Sequence, residues 1–296
     1  MSYRIVAQRV ADGMVLSNAN IYFTAHDNAG ATVFRTAQSA TPGQEAGLCH
    51  EPGCRFGDIV FANVDDVFYG YFFALADGVT TIRRIPLAPQ PGQSAQIVGP
   101  PIADIDIASS HGNLVTDGLF LYWQSDTAVS KMPVTGGAVT VLDTTPLTRP
   151  VTGVYLVGPD LIYAVDCVVH YVPVDGSAIT PPSLRVLFTT ATGVAAFAPL
   201  AGSVYVADRN GAVGWHSGNG SSQIKQNPGA AFITSMAYDG THSGLAWTQM
   251  AGTWQVHLEA GVNTITTAIA ANPRLAMFNP GGDLFWVNDD GVIASR

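Results

Sequence analysis

The chain has 296 residues, a net charge of −9, only 12% charged residues and 47% hydrophobic ones. This acidic balance, with no basic tract, excludes a nucleic-acid backbone as partner, because no cluster of Lys and Arg can displace its counterions. No run approaches the ~20 apolar residues of a membrane helix, which excludes a helical membrane span. The 31 Gly and 18 Pro suit many short strands joined by tight turns.

The first predicted element is YRIVAQRV at 3–10, an alternating strand. The segment MSYRIVAQRV carries neither an apolar signal core nor a small-residue cleavage site. Either the protein is cytoplasmic or its signal peptide is absent from this sequence. Two lysines, Lys131 and Lys225, and abundant Thr, Ala and Gly resemble exported bacterial proteins, so secretion or a periplasmic location is one expectation.

The next element, IYF at 21–23, is the first of seven related stretches. FFA follows at 72–74, LYW at 121–123, IYA at 162–164, VYV at 204–206, AWT at 246–248 and FWV at 285–287. Their anchor aromatics are Tyr22, Phe73, Tyr122, Tyr163, Tyr205, Trp247 and Trp286, separated by 51, 49, 41, 42, 42 and 39 residues. Self-similarity at this period marks a repeat architecture.

Between the first two copies lies CHEPGC, where Pro52-Gly53 forms a turn between Cys49 and Cys54. A surface disulfide, two free thiols and a metal site that also uses His50 all remain open; the metal reading lacks a fourth ligand. Before the third copy, IDIASSHGN brings His111 to the start of an inner strand, where it can act as a general base or hydrogen-bond donor.

The third copy, LFLYWQSDTAVSKMPVTGGAVTVL at 119–142, reads as three successive strands with an Asp turn and a Gly turn. Most copies carry such an Asp after the aromatic strand: Asp27, Asp77, Asp126, Asp166, Asp208 and Asp289. Asp bonds its own backbone two residues on, so these read as turn residues. A single Ca²⁺ or Mg²⁺ at one such turn is the other reading, with Asp289–Asp290 as its first choice. Cys167 reads as a buried small hydrophobe, and His170 and His257 fall in third strands as structural residues. The last copy ends at DDGVIASR, which supplies only a third strand, so the N-terminal strand is expected to complete it and cover its edge.

Four strands per copy of about 40 residues is the arithmetic of a β-propeller blade. The expected fold is all-β: a seven-bladed β-propeller of four-stranded antiparallel blades, one domain over residues 1–296, closed by the N-terminal strand. The third copy resembles YWTD- and NHL-type repeats, and is most similar to those of YVTN- or virginiamycin-lyase-like bacterial propellers. The lyase resemblance implies a His/Glu/Mg²⁺ site, for which the chain offers three glutamates, Glu45, Glu51 and Glu259. Function does not follow from the resemblance, because propellers host hydrolases, lyases, lectins and scaffolds.

With strands a to d counted outward, the d-to-a and b-to-c connections share one face, where propeller ligands bind. The d-to-a connections are read at 8–13, 49–58, 99–104, 144–150, 189–193, 226–230 and 270–274. Four hold an arginine: Arg9, Arg55, Arg149 and Arg274. Ringed around a channel mouth, their planar forks would bind a carboxylate, sulfate or phosphate. Each can equally cap a strand end or pair with a neighbouring Asp.

The leading expectation is a non-enzymatic propeller that binds a small molecule, a glycan or a protein at this face. The alternative is a propeller lyase or hydrolase with His111 as base, helped by an arginine or one divalent ion.

Overall fold

A computed structural model describes residues 3–17, 19–87, 101–105, 113–125, 128–143, 153–165, 167–177, 186–190, 192–200, 203–217, 222–226, 232–239, 244–251, 253–260, 263–269, 272–279 and 282–295. Among these residues every regular element is a strand, so there is no helix long and apolar enough to cross a membrane. The chain divides into two compact units, residues 9–148 and residues 1–8 with 149–296.

Strand β1 (Tyr3–Ala7) opens the chain and belongs to the second unit. The unit of residues 9–148 holds three four-stranded antiparallel sheets, each built from consecutive strands. The first contains β2 (Gly13–Leu16), β3 (Asn20–Asp27), β4 (Gly30–Ala37) and β5 (Ala46–Pro52). The second contains β6 (Arg55–Val64), β7 (Val67–Ala76), β8 (Val79–Pro86) and β9 (Ala103–Ile105). The third contains β10 (Leu114–Thr116), β11 (Phe120–Gln124), β12 (Val129–Pro133) and β13 (Thr140–Asp143).

The other unit holds four sheets of the same order among its described residues. They are β14 (Val154–Val157) to β17 (Val186–Thr189), with β15 (Asp160–Val165) and β16 (Val168–Pro173) between, and β18 (Val194–Leu200), β19 (Ser203–Asp208), β20 (Val213–Ser217) and β21 (Ser222–Gln226). Next come β22 (Phe232–Asp239), β23 (Gly244–Ala251), β24 (Thr253–Ala260) and β25 (Asn263–Ile269). The last sheet joins β26 (Arg274–Phe278), β27 (Leu284–Asn288) and β28 (Gly291–Ser295) to β1, in the order β1-β28-β27-β26. Tyr3 stands opposite Ser295 and Arg4 opposite Ala294, so the N-terminal strand completes the C-terminal sheet as expected.

All seven anchor aromatics fall in the second strand of a sheet: β3, β7, β11, β15, β19, β23 and β27. The reason is burial on both faces. In β7, Phe72 packs with Tyr22 and Val33 of the preceding sheet, while Phe73 packs with Leu114, Leu121 and Trp123 of the following one. A strand sandwiched between two neighbouring sheets reads as a continuous apolar run rather than an alternation. Trp247 repeats this among β18, β19, β22 and β23, and Trp286 among β23, β26, β27 and β28.

Two strand boundaries differ from the sequence reading. Residues 103 and 104, expected in a d-to-a connection, belong to β9, because Ala103, Asp104 and Ile105 pair with Ile82, Thr81 and Thr80 of β8. Residues 49–52 and 55–58, also expected as connection, belong to β5 and β6, which leaves only Gly53 and Cys54 to link two sheets.

Candidate functional site

In the unit of residues 9–148, the β3–β4 turn and the β5–β6 link enclose an open cavity of about 400 Å³. Its lining is His26, Asp27, Asn28, Gly30, Gly53, Cys54 and Arg55. These are one b-to-c turn and one d-to-a link, the two kinds of connection expected to share a face. That the link is only two residues long explains the proximity: β5 must turn at Gly53, with φ +71°, straight into β6.

Gly30 opens β4 immediately after the turn, opposite Pro52. A side chain there would place its Cβ 2.2 Å from the Glu51 carbonyl oxygen, and its φ is +144°. Only glycine allows β5 to lie this close. The cavity wall at this point is therefore bare backbone.

Asp27 accepts a hydrogen bond from the Ala29 amide through Oδ1 at 2.8 Å. His26 Nδ1 lies 2.5 Å from Asp12 Oδ2, an interaction that orients the ring through that nitrogen. Arg55 lines the cavity and is exposed, and its guanidinium has no hydrogen-bond or ion-pair partner among the described residues.

Behind this wall, Glu51 Oε1 pairs with Arg83 Nη1 at 3.0 Å. Burial, and then the Glu51 carboxylate beside it, raises the Cys54 thiol above its ordinary range. Burial likewise pushes Cys49 up to about 12, with Glu51 adding to it and the Val33 backbone opposing. Both groups are neutral thiols at physiological pH. Of the alternatives left open for CHEPGC, the structure carries two free thiols, both buried rather than on the surface.

The other expected site residues are placed as follows. The Arg9 guanidinium lies over the Phe34 ring, 4.5 Å from its centroid, and is not part of the cavity lining. His111, Arg149 and Asp126 lie outside the described residues, and of Arg274 only the backbone, at the start of β26, is described. Among the described residues no three His, Cys, Asp or Glu side chains come together to hold a metal ion. Asp289 and Asp290 are exposed in the β27–β28 turn, where the Asp290 amide donates to Asn288 Oδ1 at 2.8 Å. His170 stacks on Tyr163 with centroids 5.2 Å apart, a packing role in a third strand.

Sequence reasoning passed over His26, Asn28 and Asp12, and took Asp27 as a turn residue, with a metal ion at one of the Asp turns as the other reading. The signal was the crossing of two patterns: a b-to-c turn in the same copy as an arginine-bearing d-to-a link.

A second polar feature of this unit is Asp58, partly buried at a bulge in β6 between Phe56 and Ile59. Its Oδ1 accepts from the Ile59 amide at 3.0 Å and its Oδ2 from the Leu114 amide at 3.2 Å, tying one inner strand to the next. Burial pushes its carboxyl up to about 7 despite those two bonds.

No protein-family model matches the chain, and no curated protein resembles it in sequence. Solved structures do resemble it in shape. A streptogramin B lyase superposes with a TM-score of 0.67 at 12% identity, over 99% of this chain and 96% of that one. The WD40 propeller domain of Doa1 gives 0.68 at 11%, over 100% and 98%. YCF48 from Cyanidioschyzon merolae gives 0.66 at 10%, over 100% and 99%. All three are β-propellers, and at such identities the likeness shows the fold alone. The chain has a β-propeller fold.

Proposed function

We propose that the protein is a seven-bladed, ring-closed propeller that acts as a binding module, holding a small polar ligand in the cavity at Arg55. Seven four-stranded sheets among the described residues, and the pairing of β1 with β28, support the blade count and the closure. The observation that carries the binding reading is the cavity itself. At about 400 Å³ it falls at the small end of the roughly 300–1,000 Å³ range of ligand pockets, and its lining includes Arg55, exposed and without a partner among the described residues. Arg55 supplies the anion contact originally expected of four arginines, with Arg9 held by Phe34.

Calorimetric titration with carboxylates, phosphates and monosaccharides tests this reading. Arg55→Ala is expected to weaken the bound class at least tenfold, and Arg9→Ala to leave it unchanged. Equal affinity of Arg55→Ala and the parent would remove the cavity from consideration.

One observation favours the enzymatic alternative: Asp12 orients His26, so the cavity has its own imidazole base and does not need His111. Turnover of a bound ligand that stops in His26→Gln, with binding retained, would establish it.

A further inference from the structure

The lining of the cavity defines a class of ligand more narrowly than an anion. Arg55 is the only fixed positive charge in the wall, and Asp27 is a fixed negative one. Asp27 commits Oδ1 to the Ala29 amide, which leaves Oδ2 available. The remaining groups are neutral donors and acceptors: the Asn28 amide, the Cys54 thiol and the main chain at Gly30 and Gly53. His26 adds its ring, already paired with Asp12.

Two classes fit poorly. A simple anion would be drawn to Arg55 but repelled by Asp27, and a simple cation would meet the reverse. A sugar ring or nucleobase needs a flat apolar face to stack on, and no Phe, Tyr or Trp lines the cavity. A small zwitterion satisfies both charges at once, its carboxylate forked on the planar guanidinium and its ammonium on the carboxylate.

We propose that this cavity binds a free α-amino acid or a short peptide terminus-to-terminus, with the carboxylate on Arg55 and the ammonium on Asp27. This rests on the reading of the cavity as a ligand site. The β3–β4 turn then has two tasks, since the residue that closes it also presents the charge.

The test is calorimetric titration of the full chain with the standard free amino acids and glycyl dipeptides, followed by N-acetyl and C-amide forms of the tightest binder. Each blocked form is expected to bind at least tenfold more weakly than the free one. Asp27→Asn should abolish the preference for the free amine over the N-acetyl form. Its Oδ1 still accepts from Ala29, so the turn is kept. Arg55→Gln should abolish the preference for the carboxylate over the amide. Unchanged melting temperatures in both variants would exclude a folding defect.

An N-acetyl amino acid that binds as tightly as its free parent overturns the zwitterion and leaves an anion site. A panel that fails while a phosphate or sugar binds in an Arg55-dependent way also overturns it, with the ligand cavity intact. Silence from every class overturns both readings.

Discussion

Asp58 shows how one carboxyl is governed by its surroundings rather than by its type. Its two oxygens accept from Ile59 and Leu114, which favours the charge, yet burial outweighs them and lifts it to about 7. A carboxyl raised above its ordinary 3.8 binds its proton more tightly folded than unfolded. Its contribution is thus fully favourable below the unfolded value and is lost as pH rises through about 7. Stability measured by urea denaturation should fall between about pH 4 and pH 7 by up to a few kcal/mol on this account. Asp58→Asn should flatten that slope; an identical slope in the variant would show that Asp58 does not titrate there. The arginines make the same point. Arg9 and Arg55 look alike in sequence, but an aromatic ring holds one and nothing among the described residues holds the other.

At the scale of the element, the hairpins repeat a few devices with different residues. Asp27 and Asp208 each accept from amides further along the turn, as a tight turn with an Asp should. In the last hairpin Asn288 performs that task, so the conspicuous Asp289–Asp290 pair is left exposed beside it. Each of these first and last hairpins then enters its third strand through a glycine against which the outer strand packs. A Cβ at Gly30 would lie 2.2 Å from the Glu51 carbonyl oxygen, and one at Gly291 would lie 1.9 Å from that of Ala7. The φ of Gly291, +131°, compounds the clash. Gly291→Ala is therefore expected to cost roughly 2 kcal/mol or more and to loosen β1. Hydrogen exchange should show faster loss of protection at Tyr3–Ala7 in this variant than in Gly136→Ala, where φ is +89° but the space beside the Cα is open. Equal protection in both would mean that β1 does not depend on that approach.

For the whole molecule, the decisive feature is that no sheet can bury its faces alone. The large fully buried side chains, Trp123, Trp247, Trp286, Phe72 and Phe73 among them, lie between successive sheets of a unit. The last sheet has only three strands from the C-terminal end of the chain and takes its outer strand from the N-terminus. Deletion of residues 1–7 removes buried Val6 and Ala7 and leaves β28 an open edge beside buried Val292, Ile293 and Ala294. The expected result is a lower melting temperature together with self-association, since an unpaired strand edge recruits another. A shortened chain that melts like the parent and stays monomeric would contradict the role given to β1.

The sequence by itself determined the repeat, the aromatic strand of every copy and the exchange of the N-terminal strand. Burial on two faces leaves an apolar run that recurs with the period of the sheet, and a missing fourth strand can be counted. It also marked Asp27 and Asp208 as turn residues, because a carboxylate that bonds the next amides is a local matter. Only the tertiary structure decided which connections become a site. The cavity at Arg55 arises because β5 and β6 extend until two residues remain between them, bringing that link against the β3–β4 turn. Strand length depends on pairing with a partner many residues away, and no local pattern carries it. For the same reason the burial of Cys49 and Cys54, and the lifted carboxyl of Asp58, were invisible until neighbouring sheets closed over them.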